Sequence, residues 1–256
     1  MVRGLDTFRQ YFKDYVNNYI IIGGTACSEL IEDEGLKPRA TKDIDTILIV
    51  EALTDEFVKH FWEFIKEGNY ELSQTLSGKT QFYRFIKPKQ DGFPLQIELF
   101  SRVPDLIKAP EGAHLTPIPV GEELSNLSAI LLDDDYYHYA TSHTVILDDL
   151  HFVDRDAIVI LKAIAYINNS NRKTKGEQIR SEDISKHKND IFRIVSTFLA
   201  EDKFEVPETI KNDLRTFLEM VEKEGLGTAG LSKELGLEKE ITFEEFATQL
   251  KNTFSL

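Results

Sequence analysis

The chain has 256 residues with 41% hydrophobic side chains, enough for an ordinary buried core and incompatible with global disorder. Its 44 acidic and 30 basic side chains leave a formal charge of −14. That field repels polyphosphate at long range and argues against a protein built to grip duplex nucleic acid, although a local basic patch can still dock RNA. The single cysteine, Cys27, excludes an internal disulfide and suits a reducing compartment. The first residues lack a signal-peptide core, and runs such as Ile20–Ile22 or Ile47–Val50 are far too short to span a bilayer. The expectation is a soluble cytoplasmic protein with no membrane partner.

In chain order, Leu5, Phe8, Phe12 and Val16 recur at helical spacing, and Tyr19–Ile22 reads as a short apolar strand ending at Gly23-Gly24. Thr25–Leu30 opens a helix that ends near Gly35. A buried strand is expected over Ile44–Val50, then a helix over 54–67 with Thr54 as N-cap. Between Tyr70 and Ser101 the text turns to strands, with Ser77-Gly78 as a turn and Leu95–Phe100 as a later strand. Residues 102–125 carry Pro104, Pro110, Pro117 and Pro119 and read as extended connections. A small hairpin is expected around Asp133-Asp134-Asp135, with Thr144–Leu147 as the next strand. After Asp154 the pattern is helical, over 155–169, 181–200, 207–223 and 242–254, the last opened by Thr242 with Glu245 three residues on. The fold class is therefore α/β (α+β): a mixed-sheet domain over 1–150 followed by a helical domain over 151–256.

Three features of the first domain bear on chemistry. Gly23-Gly24-Thr25 stands at a strand end and helix start, where glycines let a phosphate approach the backbone and the Thr25 hydroxyl adds a donor. In isolation such a pair reads first as a plain tight turn. Asp43-Ile44-Asp45 puts both carboxylates on one strand face with Ile44 behind them. Like charges side by side repel, and a hard divalent cation such as Mg²⁺ or Mn²⁺ relieves that cost. The alternative is a solvated strand end. Glu98 is an acid among apolar neighbours in Leu95–Phe100, which either faces solvent by alternation or completes a three-carboxylate metal site beside Asp43 and Asp45.

Gly23-Gly24-Thr25, Arg39-Ala40-Thr41-Lys42-Asp43-Ile44-Asp45 and Glu98 in this order resemble the signature of the DNA polymerase β-like nucleotidyltransferases. The Arg-x-Thr-x-Asp-Ile-Asp form is most similar to the AbiEii-like branch, which includes toxins of toxin–antitoxin systems. Leu161-Lys162-Ala163, followed by Lys186-His187-Lys188-Asn189-Asp190, is similar to that branch's downstream helical lysine and Lys-x-x-x-Asp element. Two departures stand out: Thr25 where many relatives have Ser, and Glu98 where Asp is common.

The resemblance implies a nucleoside triphosphate as substrate and a nucleotide moved to a tRNA end, a protein side chain or a small-molecule hydroxyl, with an antitoxin as a candidate partner. It implies that Asp43 and Asp45 bind the metal ions and that Glu98 holds the ion at the acceptor. Gly23, Gly24 and Thr25 would cradle the phosphates. Lys162 would bring a point charge to the triphosphate. Lys186 and Asp190 are further nucleotide-site candidates, with a surface i, i+4 pair as the alternative. The different-class alternative is a non-catalytic nucleotide- or partner-binding module. The six histidines show no zinc spacing, and His187 is expected on a helix surface.

Overall fold

The computed structural model describes residues 2–49, 52–77, 80–101, 116–117, 130 and 133–256. The chain divides into two compact units. The first comprises residues 1–26, 40–128 and 144–153, and the second comprises residues 27–39, 129–143 and 154–256.

The first unit is built on one mixed sheet. Its strands are β1 (Tyr19–Ile22), β2 (Asp43–Leu48), β3 (Glu71–Ser77), β4 (Thr80–Ile86), β5 (Gln96–Ser101), β6 (Thr116–Pro117), β7 (Thr144–Leu147) and β8 (Leu150–Val153). They lie in the order β6-β3-β4-β5-β2-β1-β8-β7. β2 pairs antiparallel with β1 and parallel with β5, so the acidic strand is central. Central strands are covered on both faces, which explains why β1 is apolar and buried at every position.

Helices α1 (Leu5–Phe12) and α3 (Asp55–Gly68) supply the aromatic core of this unit. Phe8, Phe12, Phe57, Phe61 and Phe64 fall on the buried stripes their spacing predicts, and all are 2% exposed or less. Phe12 meets Phe64 edge-on with ring centroids 5.1 Å apart, and Phe61 meets Phe85 of β4 at 5.5 Å. Thr54 caps α3 as expected, accepting a hydrogen bond from the Phe57 amide.

The second unit is helical. Helix α2 (Gly23–Asp33) begins in the first unit and continues into it. Then come α4 (Asp134–Ser142), α5 (Arg155–Thr174), α6 (Ser181–Val195), α7 (Glu208–Glu224), α8 (Thr228–Leu235) and α9 (Phe243–Phe254). α5 is buried along most of its length, with Tyr166 edge-on to Phe217 of α7 at 5.4 Å. Phe192 of α6 lies 5.6 Å from Phe246 of α9. α9 opens with the reciprocal Thr242–Glu245 capping box that the sequence predicts. None of the helices described is long and apolar enough to cross a membrane.

Several expectations change. Asp133 does not turn a hairpin. It caps α4, accepting from the amides of Asp135 and Tyr136, while Asp134 and Asp135 sit in the first turn where the helix dipole favours acids. The nearby hairpin joins β7 to β8 through Asp148 and Asp149, both at positive φ (47° and 60°), as a two-residue turn requires. Helix α6 ends at Val195 rather than near 200, and α8 was not foreseen. The Gly78 end of the Ser77-Gly78 turn and most of the proline-rich 102–125 stretch lie outside the described residues; the described Thr116–Pro117 pairs with β3.

Candidate functional site

In the first unit Gly23 meets Asp45 of the aspartate pair. Ile22 of β1 stands opposite Asp45 of β2, so the chain leaving β1 passes the Asp45 side chain as it enters α2. Gly23 makes that passage at φ 71°, a left-handed conformation that glycine adopts without steric cost. A Cβ built on Gly23 would collide with the Asp45 carboxylate, with Oδ2 nearest and Cγ 3.1 Å away. Asp45 is thus held at the start of α2, where the helix dipole favours a negative charge.

Asp43 and Asp45 are both half-buried on one face of β2, and Ile44 between them is fully buried. Thr25 plays a part different from the phosphate donor the resemblance implies. It is fully buried and donates its hydroxyl to the Asp43 carbonyl at 2.5 Å. It therefore ties the first turn of α2 to the beginning of β2.

Glu98 lies in register with Asp45 across the parallel β2–β5 pair, on the same sheet face. It is 9% exposed, so it is not the solvent-facing acid of a simple alternation. Its carboxylate has partners of its own. Arg84, directly opposite on β4, donates from Nε at 2.7 Å and from Nη2 at 2.6 Å, and Gln96 donates from Nε2 at 2.8 Å, all to Oε1. Among the described residues no group of three or more His, Cys, Asp or Glu is arranged to hold a metal ion. The aspartate pair fits a hard divalent cation by donor type and shared face. Glu98, engaged by a guanidinium, does not fit as a third ligand in this arrangement.

The second unit brings Lys162 and Asp190 together. Asp190 is completely buried and accepts from Lys162 Nζ at 2.7 Å, from Arg39 Nε and Nη2 at 2.7 and 2.9 Å, and from Arg193 Nη1 at 3.2 Å. Arg193 also donates to Glu234 at 2.7 Å. Burial alone would raise the Asp190 carboxyl, but the Lys162 charge and the Arg39 fork hold it well below the usual carboxylate range. Lys162 is 6% exposed, so its ammonium is spent on a carboxylate inside the fold. Lys186 is not in this cluster; it pairs with Asp183 at 3.6 Å.

His187 corrects another expectation. It is half-buried on α6 rather than freely exposed. Asn169 lies 3.5 Å from its Nε2, its Nδ1 is buried, and burial followed by the Lys162 and Lys186 charges pushes its pKa down to about 3. Cys27 is buried as expected, its thiol pushed up to about 12 by burial first and by Asp190 second. The sequence reading missed Arg39 and Arg193 as partners of Asp190. Arg193 stands three residues after it on α6, a spacing that offered the signal, whereas Arg39 is 151 positions away.

No protein-family model matches the chain, and no characterised protein matches it in sequence. Among solved structures, it is similar to that of an antigenic nucleotidyltransferase-like protein from Paracoccidioides brasiliensis, at 17% identity and a TM-score of 0.40, covering 92% of this chain and 91% of that one. A superposition of that quality fixes no residue correspondence, so any role for Asp43, Asp45 or Glu98 rests on this chain's own geometry.

Proposed function

We propose that the chain is a metal-dependent nucleotidyltransferase that moves a nucleoside monophosphate from a triphosphate to a hydroxyl acceptor. The observation that carries this reading is the packing of the Asp45 carboxylate against Gly23, which joins the acidic pair to the glycine turn. Asp43 and Asp45 would hold Mg²⁺ or Mn²⁺, and the bound cation would neutralise phosphate charge that two carboxylates alone repel. Gly23 and Gly24, having no side chains, would let phosphate oxygens approach the backbone at the start of α2. In the transfer, an acceptor oxygen bonds to the α-phosphorus, the bond to pyrophosphate breaks, and the acceptor hydroxyl loses its proton.

The finer parts of the reading rest on the motif resemblance alone. These are the acceptor (an RNA end, a protein or a small molecule), a toxin-type role with an antitoxin partner, and a cytoplasmic setting. A specific observation favours a second reading: Glu98 is held by Arg84 and Gln96, which suits a module that binds nucleotide without turning it over.

One experiment separates the two. The purified protein is incubated with Mg²⁺ or Mn²⁺ and each α-labelled triphosphate, alone and with RNA or cell extract. Transfer of label with release of pyrophosphate, lost in Asp45→Asn, supports the enzyme. Nucleotide binding that Asp45→Asn weakens, with no pyrophosphate from any triphosphate, supports the binding module.

A further inference from the structure

We propose that Arg84 is a positioning residue that keeps Glu98 out of the cation's inner sphere, so that the metal site of this chain consists of Asp43 and Asp45. The proposal rests on the metal reading above and departs from the three-acid site that the motif resemblance implies. Arg84, Glu98 and Asp45 form one row across three adjacent strands, β4, β5 and β2, set by the registers Arg84↔Glu98 and Asp45↔Glu98. Residues paired in register share a face, so Glu98 stands between a guanidinium and the aspartate pair. It is committed to the guanidinium. Nε and Nη2 of Arg84 lie 2.7 and 2.6 Å from Oε1, and Gln96 adds a third donor to the same oxygen. Charge-assisted bonds of that length are the strong ones.

For Glu98 to ligate a cation it would have to leave these donors. The Arg84 side chain is 24% exposed and that of Glu98 11%, so the guanidinium would lose its counter-charge where water replaces it poorly. It would also face the incoming divalent charge across one strand. Both effects oppose recruitment of Glu98, and both disappear when the Arg84 charge is removed.

The test is Mn²⁺ affinity by calorimetry on the full chain, with a thermal melt of each variant as fold control. Asp45→Asn is expected to weaken Mn²⁺ by more than about tenfold, while Glu98→Gln changes it by less than about threefold because that carboxylate is already engaged. Arg84→Met is expected to tighten Mn²⁺ by about tenfold, and adding Glu98→Gln to Arg84→Met should remove most of the gain, a coupling typical of contacting charges. Arg84→Gln, which keeps a donor for Glu98, replaces Arg84→Met if the latter does not fold. It should tighten Mn²⁺ less.

The proposal is overturned if Glu98→Gln alone costs as much affinity as Asp45→Asn, or if neither Arg84 variant tightens binding. In either case the aspartate site survives. If Asp45→Asn leaves Mn²⁺ binding unchanged, the metal reading falls and takes this proposal with it.

Discussion

The Asp45 carboxylate occupies the space that a side chain at Gly23 would need. Gly23→Ala therefore has two consequences. The left-handed φ of 71° costs about 1–2 kcal/mol for a residue with a Cβ, and the added methyl displaces the carboxylate. Gly35→Ala serves as a control, since Gly35 has a similar φ of 73° but nothing within 4 Å of its Cβ position. Both variants should melt a few degrees lower, by roughly 2–4 °C per kcal/mol. Only Gly23→Ala should also weaken Mn²⁺, and equal affinities in the two variants would count against the cradle.

The buried cluster of the second unit sets unequal costs for its members. Asp190→Ala leaves Lys162, Arg39 and Arg193 with a missing counter-charge and should destabilise by about 3–5 kcal/mol. Lys162→Met leaves Asp190 with two arginines and should cost less, about 1–3 kcal/mol. Urea unfolding of both variants checks the order. A Lys162→Met protein as stable as the parent would mean that the lysine is not held where Asp190 places it.

Acid should loosen the same unit before its carboxylates titrate. His187 has a folded pKa of about 3 against 6.5 in the unfolded chain, lowered by burial and then by Lys162 and Lys186, with Asp190 opposing. The unfolded state takes the proton first. Stability is therefore full above about pH 6.5 and falls as pH drops toward 3, by at most roughly 1.4 kcal/mol per pH unit. Asp190, also depressed, adds a loss of the same sign only below its ordinary 3.8. His187→Gln should flatten the stability curve between pH 6.5 and 4, leaving the slope of His151, which burial also lowers. An unchanged curve for His187→Gln would show that the ring is accessible to solvent protons.

Cys27 should be inert in the native protein. Burial pushes its thiol up to about 12, so little thiolate exists near neutrality and reagents cannot reach it. Ellman's reagent at pH 8 should react at the rate at which this part of the chain opens, and rapidly in denaturant. Native labelling at the rate of a free thiol would contradict the packing around α2.

What the amino-acid order determined by itself was local. Period two put Asp43 and Asp45 on one face of β2, and helical spacing chose Phe57, Phe61 and Phe64 as core. Thr54 and Thr242 announced helix starts because a cap needs only the next three residues. The same locality misread Asp133-Asp134-Asp135, since aspartate serves helix caps and turns equally, and the choice was made by burial of Tyr136, Tyr137 and Tyr139 in α4. Partnership was decided only in three dimensions. Glu98 was singled out as an acid in an apolar strand, but that Arg84 faces it depends on the β4–β5 register. Lys162 and Asp190 were both candidates for a nucleotide, and the fold gave them to each other and to Arg39. A side chain's conformation is biased by its neighbours in sequence, whereas its counter-charge is whatever chain closure brings within hydrogen-bonding distance. For Asp190 that was an arginine 151 positions away.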